Sequence, residues 1–402
     1  MDQIKTLSII IRKACALAIV FPLLLSIFTA CNPASIPEEG NYNVTVKLSS
    51  DGTKALDPGE IGSIVIYAFA DVDDVNGTGT LVGYLHETNI DASGIFPMHL
   101  TAGGTVDFYV ILNPDSEGFV ICDDQDKEVD IAAYQAITPA SIQTWKLKRD
   151  PDVTDIGQNA KNWKVPMCNL AMTWAAPNRP SRANRRFEIT GSKNDWQTIP
   201  IEVTRAVSKV EVWLWSKDNL PAGDSYSLTH NYSGITGLAL TDPICRTEMF
   251  SNQDADSDKY IGQTSTRISD NTAHNGLDIN ARFKEYVDGT VFYTDTYFRL
   301  VWEQYILPNT FFGGNNMGES TDGTSGNATV LDVDYSLYEY SYYSYYQWNE
   351  TRKPAKKIIL PKSPRNTKIK VWCALNDNTD RSFTYTVVDW DETVTVDIPD
   401  FD

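Results

Sequence analysis

The sequence predicts an all-β protein, two tandem β-sandwich domains behind a short N-terminal address. Three observations carry that expectation. Short stretches of alternating apolar and polar residues recur along the chain, punctuated by Gly, Asn, Asp and Pro. Long helical periodicity is nearly absent. The chain has 402 residues, 42% hydrophobic and 11% aromatic, enough for more than one sizeable core and too apolar for disorder.

Positions 1–30 read as a signal peptide. Lys5, Arg12 and Lys13 give a positive start, and Ala14 to Phe28 is a largely apolar run of 15 residues interrupted by Pro22. That run is short for a membrane span and suits the apolar segment of a signal. It ends in Ile27-Phe28-Thr29-Ala30-Cys31, which resembles a bacterial lipobox with Phe28 where Leu is commoner. The resemblance implies cleavage before Cys31 and acylation of that residue, palmitate included. Acyl chains hold a protein on a membrane because each buried CH₂ contributes about 0.8 kcal/mol. The competing reading is an uncleaved anchor with an incidental Cys. Cleavage would remove three basic residues and Asp2, leaving 372 residues at a net charge of about −21 in place of −19.

Residues 31–42, with two Pro, suit a tether. The first strand follows at once: Val44, Val46 and Leu48 share one face, Thr45 and Lys47 the other. Ile61–Ala70 reads as a second strand. Asn76-Gly77 supplies a hairpin turn before Leu81–His86. Thr105–Asn113 is a strand closed by Pro114-Asp115. Asp130–Ala136 suits a short helix or a loop. Strands resume near Phe187 and at Ile199–Val203, and Arg205–Trp215 alternates imperfectly, as a bulged strand does. Further strands are expected at Ser233–Leu240, Tyr293–Trp302, Thr329–Leu337, Thr367–Ala374, Ser382–Val388 and Thr393–Ile398, with polar loops at 251–279 and 312–328. A division into sandwiches of 43–203 and 204–402 gives normal domain sizes.

Composition excludes several functions. An acidic chain lacks the clustered cations that phosphate backbones require, so no nucleic-acid partner is expected. Phosphate-cradling glycine motifs, HExxH, CxxC and GxSxG are missing, and four scattered His make no local metal motif. The protein is therefore expected to be non-enzymatic and to need no cofactor and no metal. Asp71, Asp73, Asp74, Asn76 and Gly77 look superficially like a calcium loop, but Val75 breaks one register and Gly83 takes the twelfth place in the other. A solvated acidic hairpin is the better reading. Arg179, Arg182, Arg185 and Arg186 suit an exposed loop, a protease-sensitive segment or an anion-facing patch. Arg352 to Lys370 carries eight basic residues, read as a solvated face or a contact with anionic lipid. Tyr335 to Tyr346 holds seven Tyr. Tyr342, Tyr343, Tyr345 and Tyr346 are a candidate contact surface, although alternating Tyr equally suits a paired hairpin. Cys122, Cys168, Cys245 and Cys373 allow three pairings, and their spacing suits buried thiols as well as disulfides.

Several short stretches, in order, resemble the Bacteroidia-type fimbrillin family of pilus subunits and anchors. They are Cys31 with its early strand, Phe108-Tyr109-Val110-Ile111-Leu112-Asn113-Pro114, Val165-Pro166-Met167-Cys168-Asn169, Thr204-Arg205-Ala206-Val207-Ser208-Lys209-Val210, Tyr305-Ile306-Leu307-Pro308-Asn309-Thr310 and Val388-Asp389-Trp390. Asn169 stands where Gly is commoner, and Ser208 where Ala is. The resemblance implies transthyretin-like sandwiches and pilus assembly by strand exchange: a trypsin-like protease removes the first strand, and a terminal strand of the next subunit fills the groove. It also implies other pilus subunits as partners and a lipid-anchored place on the outer membrane. The adhesion target would be a host or bacterial surface glycan or protein. Thr393, Thr395, Ile398 and Phe401 are the candidate donor strand. One departure bears on role. After Cys31 no Arg occurs before Arg149, so an Arg-directed protease finds no site behind the first strand, although Lys47 and Lys54 remain. That favours an anchor or accessory subunit over a shaft subunit, with a tip adhesin also open. A glycan-binding outer-membrane lipoprotein is the alternative, supported by 20 Tyr and 10 Trp.

Overall fold

The computed structural model describes residues 42–50, 58–88, 90, 93–150, 164–173, 179–216, 232–241, 244, 246–251, 284–287, 290–293, 299–310, 328–341, 347–375 and 382–389. The first ten strands are β1 (Tyr42–Ser50), β2 (Ile64–Asp73), β3 (Thr78–Glu87), β4 (Ile95–Leu100), β5 (Gly104–Leu112), β6 (Phe119–Cys122), β7 (Lys146–Arg149), β8 (Met167–Cys168), β9 (Arg186–Ile189) and β10 (Trp196–Arg205). The next ten are β11 (Ser208–Ser216), β12 (Tyr232–Thr241), β13 (Arg246–Glu248), β14 (Lys284–Val287), β15 (Thr290–Tyr293), β16 (Arg299–Ile306), β17 (Val330–Ser341), β18 (Gln347–Ile359), β19 (Thr367–Leu375) and β20 (Ser382–Asp389). The one α-helix among the described residues is α1 (Pro139–Gln143), started by a Thr138–Ser141 capping box. The protein is all-β.

An eight-stranded sheet runs β3-β2-β5-β8-β10-β1-β4, with β9 also on β5. Strands β2 and β5 are apolar without alternation because each face of the pair meets a different core. Ile64, Ile66, Ala68, Val106, Phe108 and Val110 face one core. Val65, Tyr67, Phe69, Tyr109 and Ile111 face the other, which also takes in Ile142, Trp145, Leu147 and Phe250. The sheet curls until its end strands touch. Thr101 donates its backbone N–H to Val82 at 2.9 Å. A Cβ on Gly83 would stand 2.4 Å from Leu100 Cδ2, so the close approach depends on that glycine.

The later strands pack as a sandwich. The sheet β16-β11-β19-β20 faces the sheet β12-β17-β18. Val210, Val212, Trp302, Ile306, Ile369 and Val371 from the first meet Leu238, Leu240, Leu331, Val333 and Ile358 from the second. The imperfect alternation of 205–215 resolves as expected, with a register shift between Val212 and Trp213 against β16. The halves of the chain also interlock. Strand β13 pairs with β7 in the small sheet β13-β7-β6. Buried Arg365 donates to the carbonyls of Met249 and Glu248 at 3.0 and 2.6 Å. Cys168 donates to the Met249 carbonyl at 2.8 Å. Cys122 and Cys168 are both free thiols and both buried, and burial pushes each thiol up from its ordinary range.

Some expectations need correcting. Strand β2 begins at Ile64 and runs on to Asp73. The single strand expected over Tyr293–Trp302 is divided: β15 ends at Tyr293 in a hairpin with β14, and β16 begins at Arg299 against β11. Of the two readings of Asp130–Ala136, the loop holds, with a single 3₁₀ turn at Tyr134–Ala136. Strands β4, β6, β7, β8, β13, β14 and β18 stand where the sequence reading places none. Pro97 in β4 argues against a strand, yet β4 ends its sheet, where proline is tolerated.

Asn113 explains the Asn-Pro turn physically. It sits at a left-handed φ of +51°, a region that Asn tolerates better than most residues. Its side chain donates to the carbonyls of Glu60 and Val165, each at 2.8 Å, and accepts from the Gly62 N–H at 2.6 Å. Asn113→Ala adds strain and strands buried partners, so urea denaturation should show a loss of about 2–3 kcal/mol. Asn113→Gly relieves the φ but not the lost bonds, and should still cost about 1 kcal/mol or more.

Candidate functional site

Strand β1 lies inside its sheet, not at an edge. It runs parallel to β10 in register Asn43↔Trp196 through Ser50↔Val203, and antiparallel to β4 in register Tyr42↔Leu100 through Lys47↔Ile95. The expected alternation holds. Val44 and Val46 are fully buried and Leu48 nearly so, while Lys47 is exposed. These three side chains enter the core lined by Ile64, Phe96, Met98, Phe108, Ile199 and Ile201. A strand so placed satisfies two ladders at once, and its absence would leave an apolar groove bordered by two unpaired backbone edges.

The segment after β1 is fastened separately. A 3₁₀ turn at Pro58–Glu60 leads into β2. Arg205, at the end of β10, donates to both Glu60 carboxylate oxygens at 2.6 and 2.7 Å and to Asn366 Oδ1 at 3.0 Å. Asn113 holds the same turn from the other side. The motif stretches containing Asn113 and Arg205 therefore converge on the segment that follows the first strand.

The arginine segment is not a loose loop. Arg179 forks onto buried Glu202 at 2.6 and 2.9 Å. Arg186 bridges buried Asp107 and exposed Asp74. Arg185 lies 3.7 Å from Asp107 and 5.0 Å above the Tyr109 ring. Two of the four arginines, Arg185 and Arg186, thus lie against carboxylates of the acidic first part of the chain, and Arg179 pairs within the later part; residues 180–183 between them are exposed, so the segment is an exposed loop pinned at both ends. The hydrogen bonds from Arg186 hold the Asp74 carboxyl below its usual range. The acidic turn is a hairpin as expected: Asp73 accepts from Val75 N, Asn76 N and Asn76 Nδ2, which lowers its pKa, and Gly77 takes a φ of +62°. No cluster of His, Cys, Asp or Glu among the described residues could hold a metal ion.

Cys31, Thr393, Thr395, Ile398, Phe401, Tyr342, Tyr343, Tyr345 and Tyr346 lie outside the described residues. Their neighbours are described. Strand β20 pairs with β19 and ends its sheet. The β17–β18 ladder continues through Glu339↔Asn349, Tyr340↔Trp348 and Ser341↔Gln347. Asn43, His99 and Trp196, which meet beside β1, carried no signal in the sequence.

No protein-family model matches the sequence, and no curated protein does. The chain is similar to solved fimbrial structures. One is a fimbrial protein from Bacteroides vulgatus, 11% identical, with a TM-score of 0.47 over 87% of this chain and 100% of that one. Another is the C-terminally truncated tip fimbrial protein Mfa3 from Porphyromonas gingivalis, 12% identical, with a TM-score of 0.46 over 87% and 100%.

Leu48→Ala removes a buried side chain from the middle of this core. It should lower stability by about 2–4 kcal/mol in chemical denaturation. Lys47→Ala, on the exposed face of the same strand, should stay within about 0.5 kcal/mol of the parent.

Proposed function

We propose that the chain is a cell-surface fimbrial lipoprotein, an anchor or accessory subunit that joins a pilus by β-strand exchange and supports adhesion. The observation that carries this reading is β1, an alternating strand held between two neighbours, whose side chains fill a groove that another strand of the same pattern would fit. The ordered motif stretches support the fimbrillin assignment. Cys31 would carry the lipid, residues 32–41 would tether the fold to the outer membrane, and Thr393–Phe401 would supply a terminal strand to another subunit. The first Arg after Cys31 is Arg149, so Arg-directed removal of β1 is disfavoured and the strand is retained. The boundary near 204, between β10 and β11, would separate two sandwich domains.

Cells fed a palmitate analogue should label the wild-type protein and not Cys31→Ala; unlabelled wild type sinks the lipoprotein assignment. N-terminal sequencing of surface protein should begin at Cys31 or be blocked there. A start beyond residue 54 would mean a processed shaft subunit. Co-purification with filaments, and the end at which the protein is found, tests the fimbrial role itself.

A second reading, a glycan-binding surface lipoprotein, draws on the β17–β18 ladder, which among the described residues runs to Ser341↔Gln347, on either side of the Tyr-rich segment 342–346. Exposed aromatics stack on sugar faces. Specific binding on a glycan array, lost in Tyr342→Ala and Tyr343→Ala, would favour it.

A further inference from the structure

We infer that Trp196, His99 and Asn43 form a clasp that holds the N-terminal end of β1 in its groove, and that they are positioning residues for retention of the first strand. The inference rests on the strand-exchange reading above and adds to it the device that opposes exchange. Asn43 lies opposite Trp196 in one ladder and opposite His99 in the other, so the three make one row across β10, β1 and β4. All three point away from the core, since Val44, Met98, Leu100 and Ile199 point into it. Strands two apart in a sheet are about 9.5 Å from each other. The Trp196 and His99 rings are only 5.5 Å apart, tilted by 59°. They must therefore lean towards each other across β1. Asn43 beneath them is 6% exposed, although it faces outward, while Trp196 itself is 46% exposed.

The polar contacts fix the same arrangement. Asn43 Nδ2 donates to the Lys193 carbonyl at 2.6 Å, so its Oδ1 turns to His99 Nδ1, also at 2.6 Å. Oδ1 can only accept, so His99 Nδ1 carries the hydrogen, whether or not the ring is protonated. Lys193 belongs to the tight turn before β10, closed by the Asp195 N–H to Ser192 carbonyl bond at 3.0 Å. The first residues of β1 are thus bound to β4, to β10 and to the turn between β9 and β10.

Position gives the clasp its meaning. A strand opens from its ends. The far end of β1 continues towards the turn that Arg205 and Asn113 fasten, and Leu48 N–H is bonded to the Gly94 carbonyl at 2.9 Å. The near end is the one that the clasp holds, so a competing strand that begins displacement there meets it first.

Hydrogen exchange followed by mass spectrometry on the full chain in detergent tests the proposal. In Trp196→Ala and in His99→Ala, amides of 42–50 should exchange about tenfold faster than in the parent, the factor that 1.4 kcal/mol of lost contact corresponds to. Amides of β2 and β5 should be unchanged. Trp196→Phe, which keeps a ring, should exchange as the parent does, and Met172→Ala, which removes another exposed apolar side chain, should leave β1 unaffected. Unchanged β1 exchange in both clasp variants overturns the proposal. So does acceleration by one common factor in β1, β2 and β5, which would mean a general loss of stability. The exchange result does not depend on whether the protein enters filaments, so a failure of the fimbrial reading is seen separately by co-purification.

Discussion

The antiparallel pairing of β2 with β5 is the constraint on which the rest of the structure depends. Its register sets Ile64↔Leu112 through Ala70↔Val106. That one ladder supplies side chains to two cores, one inside the curled sheet and one between the sheet and the layer of β6, β7 and α1. A slip of one residue would exchange every side chain between the two cores. The larger rings, Tyr67, Phe69 and Tyr109, would then enter the inner core, where Ala68 and Gly83 leave room for Leu100. Because the register is fixed on both faces, β10 and β4 can be held at the spacing that admits β1 between them.

Electrostatics follows the same logic across the sequence. The residues from 31 to 140 are strongly acidic and contain no arginine. Several of their carboxylates are matched from elsewhere: buried Asp107 and exposed Asp74 by Arg186, half-buried Glu60 by Arg205, and exposed Asp126 by Arg246. Charged pairs taken out of water stabilise little in themselves, but an unmatched member is costly. The later arginines therefore make the acidic first part tolerable in a packed fold, and they tie it to segments far along the chain.

Legibility in the sequence tracked periodicity. Strand β1 was readable because Val44, Val46 and Leu48 alternate cleanly with Thr45 and Lys47, and β2 and β5 because continuous apolar runs of that length fit buried strands. The bulge in β11 could be anticipated from its broken alternation. Strands β4 and β18 were hidden because Pro97 and a run of charged residues with Pro354 mask the pattern, and because their pairing partners are distant. The ion pairs of the arginine segment are hidden for the same reason. Nothing local to 179–186 signals that Glu202 and Asp107 lie against it, since those contacts arise only when β9 and β10 join β5 and β1. Asn113 and Arg205 belong to recognisable motifs, but their shared task, fastening the turn after β1, exists only in three dimensions.

The parallel pairing of β1 with β10 has a consequence in time. Asn43 and its hydrogen-bond partner Lys193 are 150 positions apart. Contacts of such separation form slowly, because a long loop must close before any ladder bond compensates for it. During synthesis β1 emerges early, yet half of its hydrogen-bonding capacity has no partner until residues 196–203 follow. An apolar alternating strand in that interval is a template for any other strand of matching pattern. The order of the chain thus builds in a period when its first strand is its least protected.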